Sequence, residues 1–165
     1  MSRYDNLLLE RAYTSIYESK SILIPRRSKE ERAKNWQIVL QKQITDYIKG
    51  GSKGSLYLNN TNIQYLPDNL EVGGSLDLYN TPIQSLPDNL RVGDHLNLNN
   101  TPIQSLPDNL RVGDHLNLNN TPIQSLPDNL TVGGSLYLYN TNISKKYSAD
   151  EIKGMVEYVG GRVIT

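Results

Sequence analysis

From Gly54 onward the apolar positions recur every 20 residues, and five copies align without a gap. A fixed period in that range marks a solenoid, in which each repeat forms one turn of a coil. Within a copy two leucines alternate with polar residues, from Leu56 and Leu58 in the first to Leu136 and Leu138 in the fifth. Such alternation predicts a short strand buried on one face, and one strand per turn is expected. Each copy continues with an isoleucine, at Ile63, Ile83, Ile103, Ile123 and Ile143. Four copies then carry two more leucines and a valine, as at Leu66, Leu70 and Val72. One turn cannot bury six aliphatic side chains by itself, but stacked turns share a continuous core, and stability becomes a sum over neighbour interfaces. At about 1.5–3 kcal/mol per fully buried aliphatic side chain, the five copies supply a core although the chain has no phenylalanine.

The polar positions between them read as turn chemistry. Thr61, Thr81, Thr101, Thr121 and Thr141 are expected to form a column inside the coil, beside Asn60 to Asn140 in the bend. Pro67, Pro87, Pro107 and Pro127, each followed by Asp-Asn, exclude a regular helix there and predict extended or 3₁₀ structure.

The pattern changes at both ends. Leu7, Leu8, Ala12, Ile16 and Tyr17 have helical spacing over residues 4–19, and Pro25 separates them from a second helix. That helix opens on a capping box, Ser28 with Glu31, and ends at Gly50-Gly51. Its apolar stripe of Trp36, Val39, Leu40, Ile44, Tyr47 and Ile48 is expected to cap the first turn. A second capping box, Ser148 with Glu151, predicts a helix through about Tyr158, and Arg162 to Thr165 are expected to add a sixth strand at the open edge. The expected organisation is a helical segment over residues 1–53, the solenoid over 54–144 and a C-terminal cap over 145–165.

The motif L-x-L-x-x-T-x-I-x-x-L-P-x-x-L resembles the leucine-rich repeat, in the short bacterial and bacteriophage form with Leu-Pro in its second half. The resemblance covers about 90 of 165 residues. It implies an α+β repeat solenoid, a five-turn leucine-rich-repeat coil with a helical N-terminal cap and a helix-strand C-terminal cap. Threonine stands here where that family often has asparagine. The resemblance also implies that partners bind the concave strand face, at the residues between the buried leucines.

Three polar columns fall on that face. The first is Ser55, Ser75, His95, His115 and Ser135; the second is Tyr57, Asp77, Asn97, Asn117 and Tyr137; the third is Asn59, Tyr79, Asn99, Asn119 and Tyr139. Tyrosine offers a large rigid surface with a polar tip, and amides offer adaptable hydrogen bonds, so the columns point to a protein partner. Copies three and four are identical from Gly93 to Leu110 and from Gly113 to Leu130.

Charge changes the picture only by its distribution. The formal net charge is zero, but residues 1–53 carry +5, residues 54–143 carry −6 and residues 144–165 carry +1. A basic head precedes an acidic body. Its cluster Arg26, Arg27, Lys29, Arg32 and Lys34 is a secondary candidate for nucleic-acid phosphates, although Glu30 and Glu31 interrupt it and no aromatic residue interleaves it. The chain has no cysteine, which excludes disulfides, thiolate metal sites and a cysteine nucleophile. Neither a signal peptide nor a run of ~20 apolar residues is evident, so a cytoplasmic address is expected, in the host if the protein is phage-encoded.

Catalytic patterns are sparse. His95 and His115 stand one repeat apart, about 4.8 Å along the ladder, with Asp94 and Asp114 beside them. Two stacked histidines without a third ligand make a weak metal site, and Asp94 is expected to turn away in the preceding bend. No glycine-rich phosphate loop or serine–histidine–aspartate set stands out. The expectation is therefore a non-enzymatic protein without metal or cofactor. It binds a macromolecular partner, and by analogy with phage proteins of this repeat type it blocks a host defence complex, as anti-CRISPR proteins do. A self-associating scaffold and a nucleic-acid binder are the alternatives, and oligomeric state stays open.

Overall fold

A computed structural model describes residues 28–165 of the chain, so the helix expected over residues 4–19 and the residues Arg26 and Arg27 lie outside the described residues. The chain divides into two compact units, Met1–Ile38 and Val39–Thr165. In the first, helix α1 (Lys29–Lys49) begins on the predicted capping box. The Ser28 amide donates to Glu31 Oε2 at 3.0 Å and the Glu31 amide to Ser28 Oγ at 3.2 Å. Lys29, Arg32 and Lys34 fall on its first turns, with side chains outside the described set.

The second unit contains a parallel β-solenoid. One sheet has six strands: β1 (Leu56–Tyr57), β3 (Leu76–Asp77), β5 (Leu96–Asn97), β7 (Leu116–Asn117), β9 (Leu136–Tyr137) and β11 (Val163–Ile164). Register is one repeat per rung, Leu56 beside Leu76 and Leu96 beside Leu116. A second sheet was not expected. It is built from β2 (Glu71–Val72), β4 (Arg91–Val92), β6 (Arg111–Val112), β8 (Thr131–Val132) and β10 (Tyr158–Val159). Each full turn thus contributes two short strands instead of one.

The inward columns are as the pattern predicts. Leu76, Leu78, Ile83, Leu86, Leu90 and Val92 are all buried, and the equivalent residues of the other copies join one core, with Leu126 only partly covered. Thr81, Thr101, Thr121 and Thr141 are buried too. Each hydroxyl donates to the leucine carbonyl three residues earlier, at 2.7–2.8 Å, so the polar column costs the core no unsatisfied group. The neighbouring asparagines do different work. Asn60, Asn80, Asn100, Asn120 and Asn140 have φ of 54–61°, the left-handed region that asparagine tolerates and that the bend requires. Outside, Asn80 Nδ2 reaches Asn60 Oδ1 at 3.0 Å and Asn100 Nδ2 reaches Asn80 Oδ1 at 2.8 Å, an amide ladder along the coil. The Leu-Pro segments form no regular element, and Asn69, Asn89 and Asn109 make the left-handed turn that follows them.

Where the chain passes from one sheet to the other, the backbones of successive rungs approach closely. A Cβ on Gly93, Gly113 or Gly133 would collide with the carbonyl of the glycine one rung earlier. The glycine column is therefore required by stacking, not by turn conformation.

The ends differ from expectation in detail. Leu40 and Ile44 of α1 are buried in the core and Tyr47 packs on it, while Ile48 is 43% exposed and drops out of the predicted stripe. Trp36, in the first unit, is 41% exposed. Helix α2 (Ala149–Gly154) starts on the predicted Ser148–Glu151 capping box but stops four residues short of Tyr158. The chain needs Tyr158–Val159 as β10, paired with Thr131–Val132, and β11 then supplies the predicted sixth strand, beside Leu136–Tyr137. No helix among the described residues is long and apolar enough to cross a membrane.

Candidate functional site

All twelve residues predicted for the strand face, Tyr57, Asn59, Asp77, Tyr79, His95, Asn97, Asn99, His115, Asn117, Asn119, Tyr137 and Tyr139, lie on strands of the six-stranded sheet or within two residues of them, His95 and His115 just before their strands, and all are partly or fully exposed. They alternate with leucines that are buried, which is why the whole set emerges on one side.

The second column is less free than its composition suggests. Asp77, Asn97 and Asn117 each accept, through Oδ1, the backbone N–H two residues on, at 3.0–3.1 Å. Asn97 Nδ2 also donates to Asp77 Oδ1 at 3.0 Å. These are Asx turns that hold the chain as it leaves the strand. Burial pushes the Asp77 carboxyl above its ordinary range, opposed by the Tyr79 amide and the Asn97 side chain. In the third column Asn119 Oδ1 accepts the Tyr139 amide at 2.7 Å, and Asn99 Oδ1 accepts from Asn120 Nδ2 at 3.2 Å. Much of the amide capacity is thus spent within the ladder, and the tyrosines project from it. Tyr139 is 65% exposed and Tyr79 is 38% exposed, three rungs apart, about 14 Å along the sheet.

At the centre of the face the two imidazoles stack, with ring centroids 5.1 Å apart and planes 19° apart, and Tyr137 meets His115 edge-on at 5.7 Å. Asp94 does not turn away as expected. Its Oδ2 accepts from Ser75 Oγ at 3.0 Å and its Oδ1 lies 3.4 Å from His95 Nε2. Rung stacking causes this, because the serine that holds Asp94 belongs to the preceding copy. Ser75, Asp94 and His95 therefore meet, a grouping not foreseen from the sequence. The order is wrong for nucleophilic catalysis, since the seryl hydroxyl donates to the carboxylate and not to the imidazole that would have to accept its proton. A signal for the cluster was present: copies three and four carry Asp-His where the second and fifth carry Gly-Ser.

The fold and this face define a class, a parallel β-solenoid of 20-residue repeats presenting a tyrosine-flanked polar sheet. Compared with protein-family models, curated proteins and solved structures, the chain matches none.

Proposed function

We propose that the protein is a non-catalytic binding module that holds a protein partner on the face of its six-stranded sheet. The observation that carries this reading is the pair of exposed tyrosines, Tyr79 and Tyr139, mounted on a ladder whose own polar groups are already hydrogen-bonded. A face ordered before binding loses little side-chain freedom on association, and tyrosine contributes area with few rotors. Following the resemblance of its repeat, the partner is a component of a host defence complex that the protein blocks by occupying its surface.

The test is capture of partners from a bacterial lysate by the wild type and by a Tyr79→Ala, Tyr139→Ala variant, followed by affinity measurement on any protein retained. Both tyrosines leave the core untouched, so the variant is expected to fold. Loss of about 1–2 kcal/mol of binding per tyrosine supports the reading. Equal retention by both proteins moves the contact off this face, and a mass that grows with concentration in the absence of lysate favours the self-associating scaffold.

A further inference from the structure

Among the described residues, one group combines imidazole and carboxylate ligands. One ligand atom each of His95, Asp114 and His115 lies within 4.8 Å of the others. The third ligand that two stacked histidines lack comes from the same copy as His115, at the position just before it. Asp114 Oδ1 is 3.2 Å from His115 Nδ1, and Asp114 Oδ2 is 3.7 Å from His95 Nδ1.

The protons in this cluster are placed by the backbone. The Ser135 amide donates to His115 Nδ1 at 2.8 Å, and the His115 amide reaches His95 Nδ1 at 3.4 Å. A ring nitrogen that accepts carries a lone pair, so in the neutral rings the protons sit on Nε2. No ring proton therefore lies between the Asp114 carboxylate and either Nδ1, and the single lone pair of each Nδ1 is turned to its backbone amide. Asp94 escapes the same situation because Ser75 donates to it, whereas the residue in the corresponding position for Asp114 is His95. A cation that displaced these two amide contacts would meet two ring nitrogens and a carboxylate oxygen that already lie within 4.8 Å of one another.

Geometry and space agree. Metal bonds of about 2.0–2.2 Å place neighbouring ligands of a tetrahedral ion roughly 3.3–3.6 Å apart; the 3.2 Å between Asp114 Oδ1 and His115 Nδ1 is close to this, while the 3.7 Å approach to His95 Nδ1 is made by the other carboxylate oxygen, Oδ2. The widest separation, 4.8 Å, has to close by on the order of 1 Å, a movement within reach of side chains that are 41–47% exposed. Coordination through His115 Nδ1 exchanges the Ser135 bond for a metal bond. The fifth copy leaves the room: any side chain at Gly134 would run into Asp114 Oδ1 and His115 Nδ1. Imidazole with carboxylate suits zinc and its neighbours better than calcium or magnesium, which prefer oxygen alone.

We propose that His95, Asp114 and His115 form a surface site for one divalent transition ion of the zinc class, bridging the third and fourth copies and leaving a coordination position open to solvent. The site does not depend on the partner-binding reading, since the ion is held by the solenoid alone.

The experiment is calorimetric titration of tag-free full-length protein with Zn²⁺, beside thermal melts with and without the ion. One ion per chain is expected, with a raised melting temperature, because the ion binds the folded ladder and not the unfolded chain. His95→Ser and His115→Ser restore the residue that the first, second and fifth copies carry, so both are expected to fold, with circular dichroism as the check. Each is expected to weaken binding at least about tenfold, as is Asp114→Asn, while Asp77→Asn on the same face leaves it unchanged. Absence of one-to-one binding by the wild type overturns the proposal, as does undiminished binding by the double histidine variant or an equal loss in Asp77→Asn.

Discussion

The two ends of the solenoid solve one problem by different means. At the start, the part of α1 from Val39 onward lies over the first turn as an apolar lid through Leu40 and Ile44. Its polar contacts with the coil are side-chain ones. Gln43 Nε2 donates to the Tyr57 carbonyl at 3.3 Å, and the Tyr47 hydroxyl lies 2.8 and 2.9 Å from the Ser52 and Gly54 carbonyls while accepting the Gly73 amide at 3.2 Å. At the finish, the chain instead continues both ladders. The Leu136 and Leu138 amides donate to Arg162 and Ile164 carbonyls at 2.9 and 2.7 Å, and the Tyr158 and Gly160 amides donate to Leu130 and Val132 carbonyls at 3.2 and 2.9 Å. A helix covers hydrophobic area but meets an edge only where a side chain reaches it, whereas an added strand satisfies the backbone itself. Protection of the core and protection of the edge are therefore separable.

The most severe way to break this comparison is to hollow each cap. Ile44 and Ile152 are both almost fully buried, and truncation of either to alanine is expected to cost about 2–5 kcal/mol. The losses should land in different places, because contacts in a stacked array pass only between neighbours. Hydrogen exchange should quicken at the Leu136 and Leu138 amides in Ile152→Ala and around Leu56 and Leu58 in Ile44→Ala. Uniform quickening in both variants would mean that the ends are not independent.

A smaller effect is expected from Ser148→Ala, which removes the hydroxyl of the α2 capping box. Ser148 Oγ accepts the Glu151 amide at 3.4 Å, while Glu151, its carboxyl held below the usual range chiefly by the Ser148 amide, returns the bond at 2.8 Å. Loss of about 1 kcal/mol in denaturant melts is expected. If stability does not change, β10 and β11 hold the cap without its helix.

Tyr47→Phe sharpens the other end and should cost no more than Ser148→Ala, about 0.5–1 kcal/mol, with a dependence on pH. Burial raises the Tyr47 phenol above its ordinary 10.0, opposed by the hydrogen bond from Gly73. Above pH 10 the unfolded tyrosine loses its proton before the folded one does, so the stabilisation by Tyr47 is intact below that point and declines as pH rises through the folded value. The gap between wild type and variant should therefore narrow in alkaline melts. A constant gap would remove burial as the cause.

Much of this architecture was legible along the chain because burial is a local pattern. A period of 20, a leucine at every second position of the strand and a threonine at a fixed offset decide which side chains face inward, whatever the neighbour is. The same regularity revealed the three exposed columns, and a local Ser-x-x-Glu motif revealed each capping box outside the repeat. Pairing across rungs left no such mark. Glu71–Val72 and its equivalents are too short to show a period, and they become strands only because the equivalent segment of the next copy lies beside them one turn later. Tyr158–Val159 reads locally as the end of a helix, yet the open second sheet takes it as a strand. The central cluster follows the same rule. Asp-His in copies three and four was visible, but the turn of Asp94 toward Ser75 and the approach of Asp114 to His95 depend on side chains 19 residues apart in sequence and adjacent in space. The sequence by itself determined the coil, its core and the residues on its exposed face. Only the tertiary structure decided how successive rungs use each other's polar groups, because those contacts exist between copies and not within one.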